Sequence, residues 1–204
     1  MAFTSTSVTA ALDNEAPSLA GRKMTLHKLP CAGGKGGHPF DSGVNPYGVA
    51  RVHVECSPFK KLGHIEPYAS TIARVFVDFH RSTGTDKNQF YWGCAPVSGK
   101  AGHDRKSFTF ELLSGDEICK VVVWSDGIVA NAVQIHTQLG IVSPMYGIPP
   151  HGSKPQEFQA PEGGSSHLVG FYGRFGAVID SLGFTFASFE QEHVTGVIGD
   201  FIDV

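Results

Sequence analysis

The sequence predicts an all-β fold in which one strand unit recurs three times. Three observations carry that expectation. The chain breaks into runs of about 6 to 8 apolar and β-branched residues, each bounded by Gly, Pro, Asn, Asp or Ser. No segment sustains an apolar 3.6-residue period over three turns, which removes long helices. Three separate segments also share one pattern, a small residue followed by alternating apolar positions.

The strand-like runs begin near Thr25. Residues 48–55 alternate, with Val49, Arg51, His53 and Glu55 on one face and Ala50, Val52, Val54 and Cys56 on the other. Residues 72–79 read IARVFVDF, 107–113 SFTFELL, 118–124 ICKVVVW and 132–138 AVQIHTQ. Residues 167–172 read HLVGFY and 178–186 VIDSLGFTF. The 25 glycines and 15 phenylalanines fit many short strands joined by tight turns. Residues 1–25 read as a polar arm without periodicity, 26–188 as the domain, and 189–204 as a C-terminal extension.

The repeat has two parts. Residues 31–38 (CAGGKGGH) and 94–103 (CAPVSGKAGH) are similar glycine loops, followed at equal spacing by Cys56 and Cys119. Residues 176–186 (GAVIDSLGFTF), 127–137 (GIVANAVQIHT) and 69–79 (ASTIARVFVDF) read as equivalent strands. Three such units suggest three sheets about a pseudo-threefold axis.

Composition narrows the function. With 204 residues, 41% hydrophobic and 17% charged, the chain is long enough for one sizeable core. A net charge of -3 gives no basic surplus for nucleic acid or anionic lipid, so no nucleic-acid partner is expected. No run approaches the roughly 18 to 20 apolar residues that span a bilayer, and membrane insertion is not expected. Residues 1–17 lack a basic and an apolar signal region and carry Asp13 and Glu15. The expected location is therefore cytoplasmic or non-classically released, with the four cysteines as free thiols.

Several segments together resemble the jacalin-related lectins. Residues 168–186 (LVGFYGRFGAVIDSLGFTF) look like that family's last strand pair, G-F-x-G-R, a short loop, then G-x-x-x-D. Residues 33–41 (GGKGGHPFD) are similar to its opening G-G-x-G-G-x-x-F-D. Residues 108–118 (FTFELLSGDEI) resemble its F-x-L-x-x-x-E-Y-I run, and Met145-Tyr146-Gly147 falls where it has T-Y-G. The match spans about residues 28–188. It implies a β-prism of three Greek-key, four-stranded sheets and a protein that binds carbohydrate, with no cofactor.

The residue types suit a sugar. Each hexose hydroxyl is already hydrogen-bonded to water, so binding needs fixed polar partners. A carboxylate accepts two hydroxyl protons, and backbone N–H groups in a glycine-bearing turn supply the donors. Gly176 permits the turn, Ala177 and Val178 offer N–H groups, and Asp180 accepts. In the resembled family this aspartate takes the 4- and 6-hydroxyls. Gly36 and Gly37 form the facing wall, where a side chain would block close approach. Asp180 could alternatively cap its own turn. Phe175 could flank the sugar or pack on the neighbouring turn. In the family, galactose binders are cut to free an amino-terminal glycine, whereas some thirty residues precede Gly33 here. Mannose- or glucose-type glycans and glycoproteins are therefore the expected partners, bound by a homo-oligomer.

The other repeats depart from this pattern. Gly127 and Asn131 keep the glycine but replace the aspartate, giving a weaker second site that would use Gly102. Residues 69–73 have neither residue, and no site is expected. Gly199 and Asp203 repeat G-x-x-x-D at the end of the chain, as a coincidence or an added edge strand. The ten histidines and four cysteines lack ligand spacing, so no metal is expected. GGKGG lacks the G-K-[ST] of a phosphate loop. Asp78, Asp116 and Glu117 could be paired carboxylates of a glycosidase, but alternation puts them on solvated faces, and no enzyme activity is expected. The competing reading is a protein-interaction module that keeps the prism but has lost sugar binding.

Overall fold

The computed structural model describes residues 4–8, 23–59, 68–81, 84–93, 105–162 and 165–190. In chain order the strands are β1 (Thr4–Val8), β2 (Met24–Lys28), β3 (Ala32–Gly33), β4 (His38–Asp41), β5 (Val49–Phe59), β6 (Tyr68–Arg81) and β7 (Gly84–Gly93). They continue as β8 (Lys106–Glu111), β9 (Ile118–Ser125), β10 (Ala130–Thr137), β11 (Tyr146–Gly147), β12 (Pro155–Gln159), β13 (Ser165–Phe175) and β14 (Ile179–Phe189). They form three antiparallel sheets, the all-β, three-sided arrangement that the sequence predicts.

The sheets share one topology. Two run β7-β6-β5-β8 and β11-β10-β9-β12. In each, three consecutive strands pair in order and the fourth returns to lie beside the first, which is a Greek key. The remaining sheet has the same core order, with β3 on β14 and β4 on β13. Its flanking strands come from the start of the domain and its central hairpin from the end, so this sheet closes the prism. β6, β10 and β14 hold equivalent places, as their shared sequence pattern suggests. The matching cysteine spacing has no such meaning: Cys56 lies near the end of β5, whereas Cys119 is the second residue of β9.

The strand count differs from four in the closing sheet, which has six. β2 and β3 line one edge of β14, and β1 pairs outside β2 with Thr4 opposite Lys28. β1 lies in the stretch read as an unpatterned arm. Its sequence TSTSV has no apolar alternation, so periodicity could not mark it, although Thr and Val favour extended backbone.

Alternation sets the core. Along β5, Val52, Val54 and Cys56 are buried, while Arg51, His53 and Glu55 face outward. One cluster spans all three sheets and includes Phe79, Phe158, Phe186, Ile118 and Ile179. Each fully buried side chain of this size contributes roughly 1.5–3 kcal/mol. A void of about 20 Å³ on the inner faces is lined only by apolar side chains such as Val54, Val133 and Phe184. It offers a water no polar partner.

Two carboxylates do not sit on solvated faces. Asp78 is buried beside Arg51 Nη1 (3.5 Å) and His53 Nε2 (3.6 Å). Asp116 is buried in the β8–β9 turn, where its Oδ1 accepts from Glu117 N (2.9 Å) and Leu139 N (3.1 Å). Asp78 is thus held by side chains of the neighbouring strand, and Asp116 by two backbone amides.

Candidate saccharide site

The two motif segments, one from each end of the domain, meet at one end of the closing sheet. The β3–β4 connection carries Gly36 and Gly37, and the β13–β14 turn carries residues 176–178. Pairing of β13 with β14 slips between them: Arg174 faces Ser181, but Phe175 faces Ile179. Asp180 is the extra residue of this β-bulge. A bulge leaves one residue outside the ladder and re-aims its side chain. The freed Asp180 carbonyl accepts from Gly34 N at 2.8 Å.

The side chain then lies against the glycine loop. A Cβ on Gly36 would stand 2.8 Å from Asp180 Oδ1, and one on Gly37 would collide with Oδ2 and with the Phe175 carbonyl. Gly37 also has φ +60°, which L side chains rarely adopt. Gly176 serves differently from the sequence expectation. Its φ is not in the left-handed region; a Cβ there would sit 3.2 Å from Asp180 Oδ2. Its value is space rather than turn freedom. Oδ2 is sealed beneath these glycines, while Gly36, Gly37 and Ala177 are exposed. Val178 is buried, so only its backbone can serve a ligand.

The turn closes through Gly176 N donating to the Val178 carbonyl at 2.9 Å. Among the described residues, the amides of Ala177 and Val178 have no acceptor. The hollow thus combines a carboxylate with two unspent donors. Phe175 takes the packing role: its ring lies 6.1 Å from Phe40 and 6.3 Å from His38, against the core.

Sequence reasoning missed Arg174. Its Nε donates to the Gly36 carbonyl (2.6 Å) and its Nη2 to the Gly37 carbonyl (2.7 Å). The only signal was the arginine of the G-F-x-G-R string, which carried no assigned role.

The proposed second site is not assembled. Asn131 is the bulge residue of the β9–β10 hairpin, as Asp180 is of β13–β14. It is 1% exposed, and its Oδ1 accepts from Asp126 N at 3.1 Å. Asp126 Oδ1 in turn accepts from Ile128 N (2.8 Å) and Val129 N (2.9 Å). Those amides correspond to Ala177 and Val178, so a side chain already fills the place of a ligand. Gly127, at φ +82°, has open space around it but no carboxylate to face. Gly102 lies outside the described residues. The strands that flank it, β7 and β8, belong to the β5–β6 sheet. The connection facing Asn131 starts instead at Gly147, whose Cβ would strike the Asn131 carbonyl just as one on Gly33 would strike that of Asp180. Residues 60–67 of the third hairpin, and Gly199 and Asp203, also lie outside the described residues.

Comparison with known proteins agrees with this architecture. The chain is 30% identical over 164 residues to Jacalin-related lectin 40 of Arabidopsis thaliana; the match covers 79% of this chain and 31% of that protein. The chain therefore spans about a third of the length of that curated relative. AcmJRL, a mannose-binding jacalin-related lectin from Ananas comosus, superposes with a TM-score of 0.57 at 18% identity, over 79% of this chain and 96% of its own. Artocarpin in its mannotriose complex gives 0.55 at 19% identity, over 80% and 97%. Residues 29–185 match the Jacalin-like lectin domain, from the segment before β3 into β14, past Asp180. With the three Greek-key sheets and the bulged hairpin against its glycine loop, this match shows that the chain belongs to the jacalin-like lectin family.

Proposed function

We propose that the chain binds mannose- or glucose-type glycans at the hollow between Gly36–Gly37 and residues 176–180, and does not turn them over. One observation carries this reading: the Asp180 carboxylate stands at a bulge against side-chain-free backbone, beside two unspent amides. Asp180 accepts a sugar hydroxyl proton at Oδ1, its Oδ2 being sealed beneath the glycines, and the Ala177 and Val178 N–H groups donate to sugar oxygens. The mannose ligands named for AcmJRL and artocarpin support the sugar class.

Only one hollow is built among the described residues, so useful affinity needs several copies. We infer that homo-oligomerisation supplies them by raising effective concentration. The test is titration calorimetry and a glycan array on the wild type and Asp180→Asn. The substitution keeps the shape and removes the charge. Loss of mannoside binding with an unchanged thermal midpoint is expected. Binding that persists in Asp180→Asn removes the assignment, and silence of the folded wild type on the whole array favours the protein-interaction reading.

A further inference from the structure

We infer that Arg174 is a positioning residue of the saccharide site, holding the glycine loop in the shape that faces Asp180. The inference rests on the sugar-site reading above. The loop Gly33-Gly34-Lys35-Gly36-Gly37 has almost no side chains with which to anchor itself, and glycine has the most backbone freedom to lose. Gly36 and Gly37 are exposed, so no core contact fixes them. Their carbonyls nevertheless have a rigid partner. Nε and Nη2 of one guanidinium take them at 2.6 and 2.7 Å. A planar fork bonding adjacent carbonyls fixes both peptide planes at once.

Across a trans peptide the N–H lies opposite the C=O. Holding the Gly36 carbonyl therefore turns the Gly37 N–H away from Arg174. Bonding to a cation also polarises the peptide and strengthens its N–H as a donor. β13 supplies the anchor: Arg174 faces Ser181 and Pro39 across the sheet, immediately before the bulge. One strand thus presents the loop's clamp, and its hairpin partner presents the loop's carboxylate. Both guanidinium bonds run to the loop, Nε to the Gly36 carbonyl and Nη2 to the Gly37 carbonyl, so the fork grips two successive peptides.

The test compares wild type, Arg174→Lys and Arg174→Ala by mannoside titration and amide hydrogen exchange. Arg174→Ala is expected to weaken binding about tenfold, the worth of one charge-assisted hydrogen bond. Exchange at Gly36 and Gly37 should quicken, with amides elsewhere and the thermal midpoint unchanged. Arg174→Lys should recover part of the affinity. Millimolar free guanidinium should restore binding to Arg174→Ala but leave Arg174→Lys unaffected. Affinity within twofold of wild type, or no change in loop exchange, overturns the inference. If the wild type binds no saccharide, the sugar-site reading fails, and the exchange measurement alone still decides whether Arg174 holds the loop.

Discussion

Gly37 is held by two separate constraints, and each forbids a side chain. Its φ of +60° places it in the left-handed region, and a Cβ would meet the Phe175 carbonyl and Asp180 Oδ2. Gly37→Ala is thus expected to lose mannoside binding completely and to lower stability by about 1–3 kcal/mol, the range for a strained backbone position. Calorimetric titration and a thermal melt check both. Gly43→Ala is the control, because Gly43 also has positive φ but nothing within 4 Å of its Cβ position. It should cost a little stability and leave binding intact. At this scale the sequence exposed Asp180, Gly36 and Gly37 through their motifs. It hid the bulge, which depends on cross-strand register, and it hid the clamp, since an arginine before a turn has no visible partner. It also suggested the wrong reason for Gly176, which yields room for a carboxylate rather than an unusual φ.

The two hairpins β9–β10 and β13–β14 show how one element can be open or closed. Both place a polar residue at the bulge, Asn131 or Asp180, and both present two amides in the turn. The difference lies at the residue before the turn glycine. Asp126 bonds the amides of Ile128 and Val129, whereas Phe175 has no acceptor and leaves those of Ala177 and Val178 available. Titration of the wild type with a monovalent mannoside should therefore give one site per chain; a stoichiometry of two would refute the closed reading of the β9–β10 turn. Asp126→Ala should cost on the order of 1–3 kcal/mol, since it leaves two amides without their charged acceptor. The sequence pointed to this hairpin but paired it with Gly102. In the closing sheet the glycine loop precedes its hairpin by most of the domain, and that order was extended to the second repeat. In the other two sheets the flanking strands follow the central hairpin directly, so the loop facing Asn131 starts at Gly147. Chain order alone does not reveal which sheet is the split one.

At the scale of the molecule, the three inward faces share one core, and stability depends on pH through groups that folding takes from water, Cys56 inside that core and Tyr172, His27 and His136 half-buried outside it. The alternation of β5 set Cys56 on the face of Val52 and Val54, and the structure buries that face. Burial raises the Cys56 thiol to about 11 from its ordinary value of 9.0, and raises the Tyr172 phenol to about 12 from 10.0. Below pH 9 both folded and unfolded chains keep the thiol proton, and the stabilisation is fully present. Between about pH 9 and 11 the unfolded chain releases it while the folded chain does not, so stability falls as pH rises. The loss should be on the order of 1–3 kcal/mol across that window. Burial lowers His27 and His136 below 6.5, so the acid limb has the opposite sense. As pH drops below 6.5 the unfolded chain gains protons first, and stability again declines. Urea midpoints measured from pH 5 to 11 should therefore show a plateau between about pH 6.5 and 9. Cys56→Ala should flatten the alkaline limb relative to wild type, even though its midpoint at pH 7 will be lower for the cavity it leaves. An alkaline limb as steep in Cys56→Ala as in the wild type would show that the thiol buried between the sheets is not what sets it.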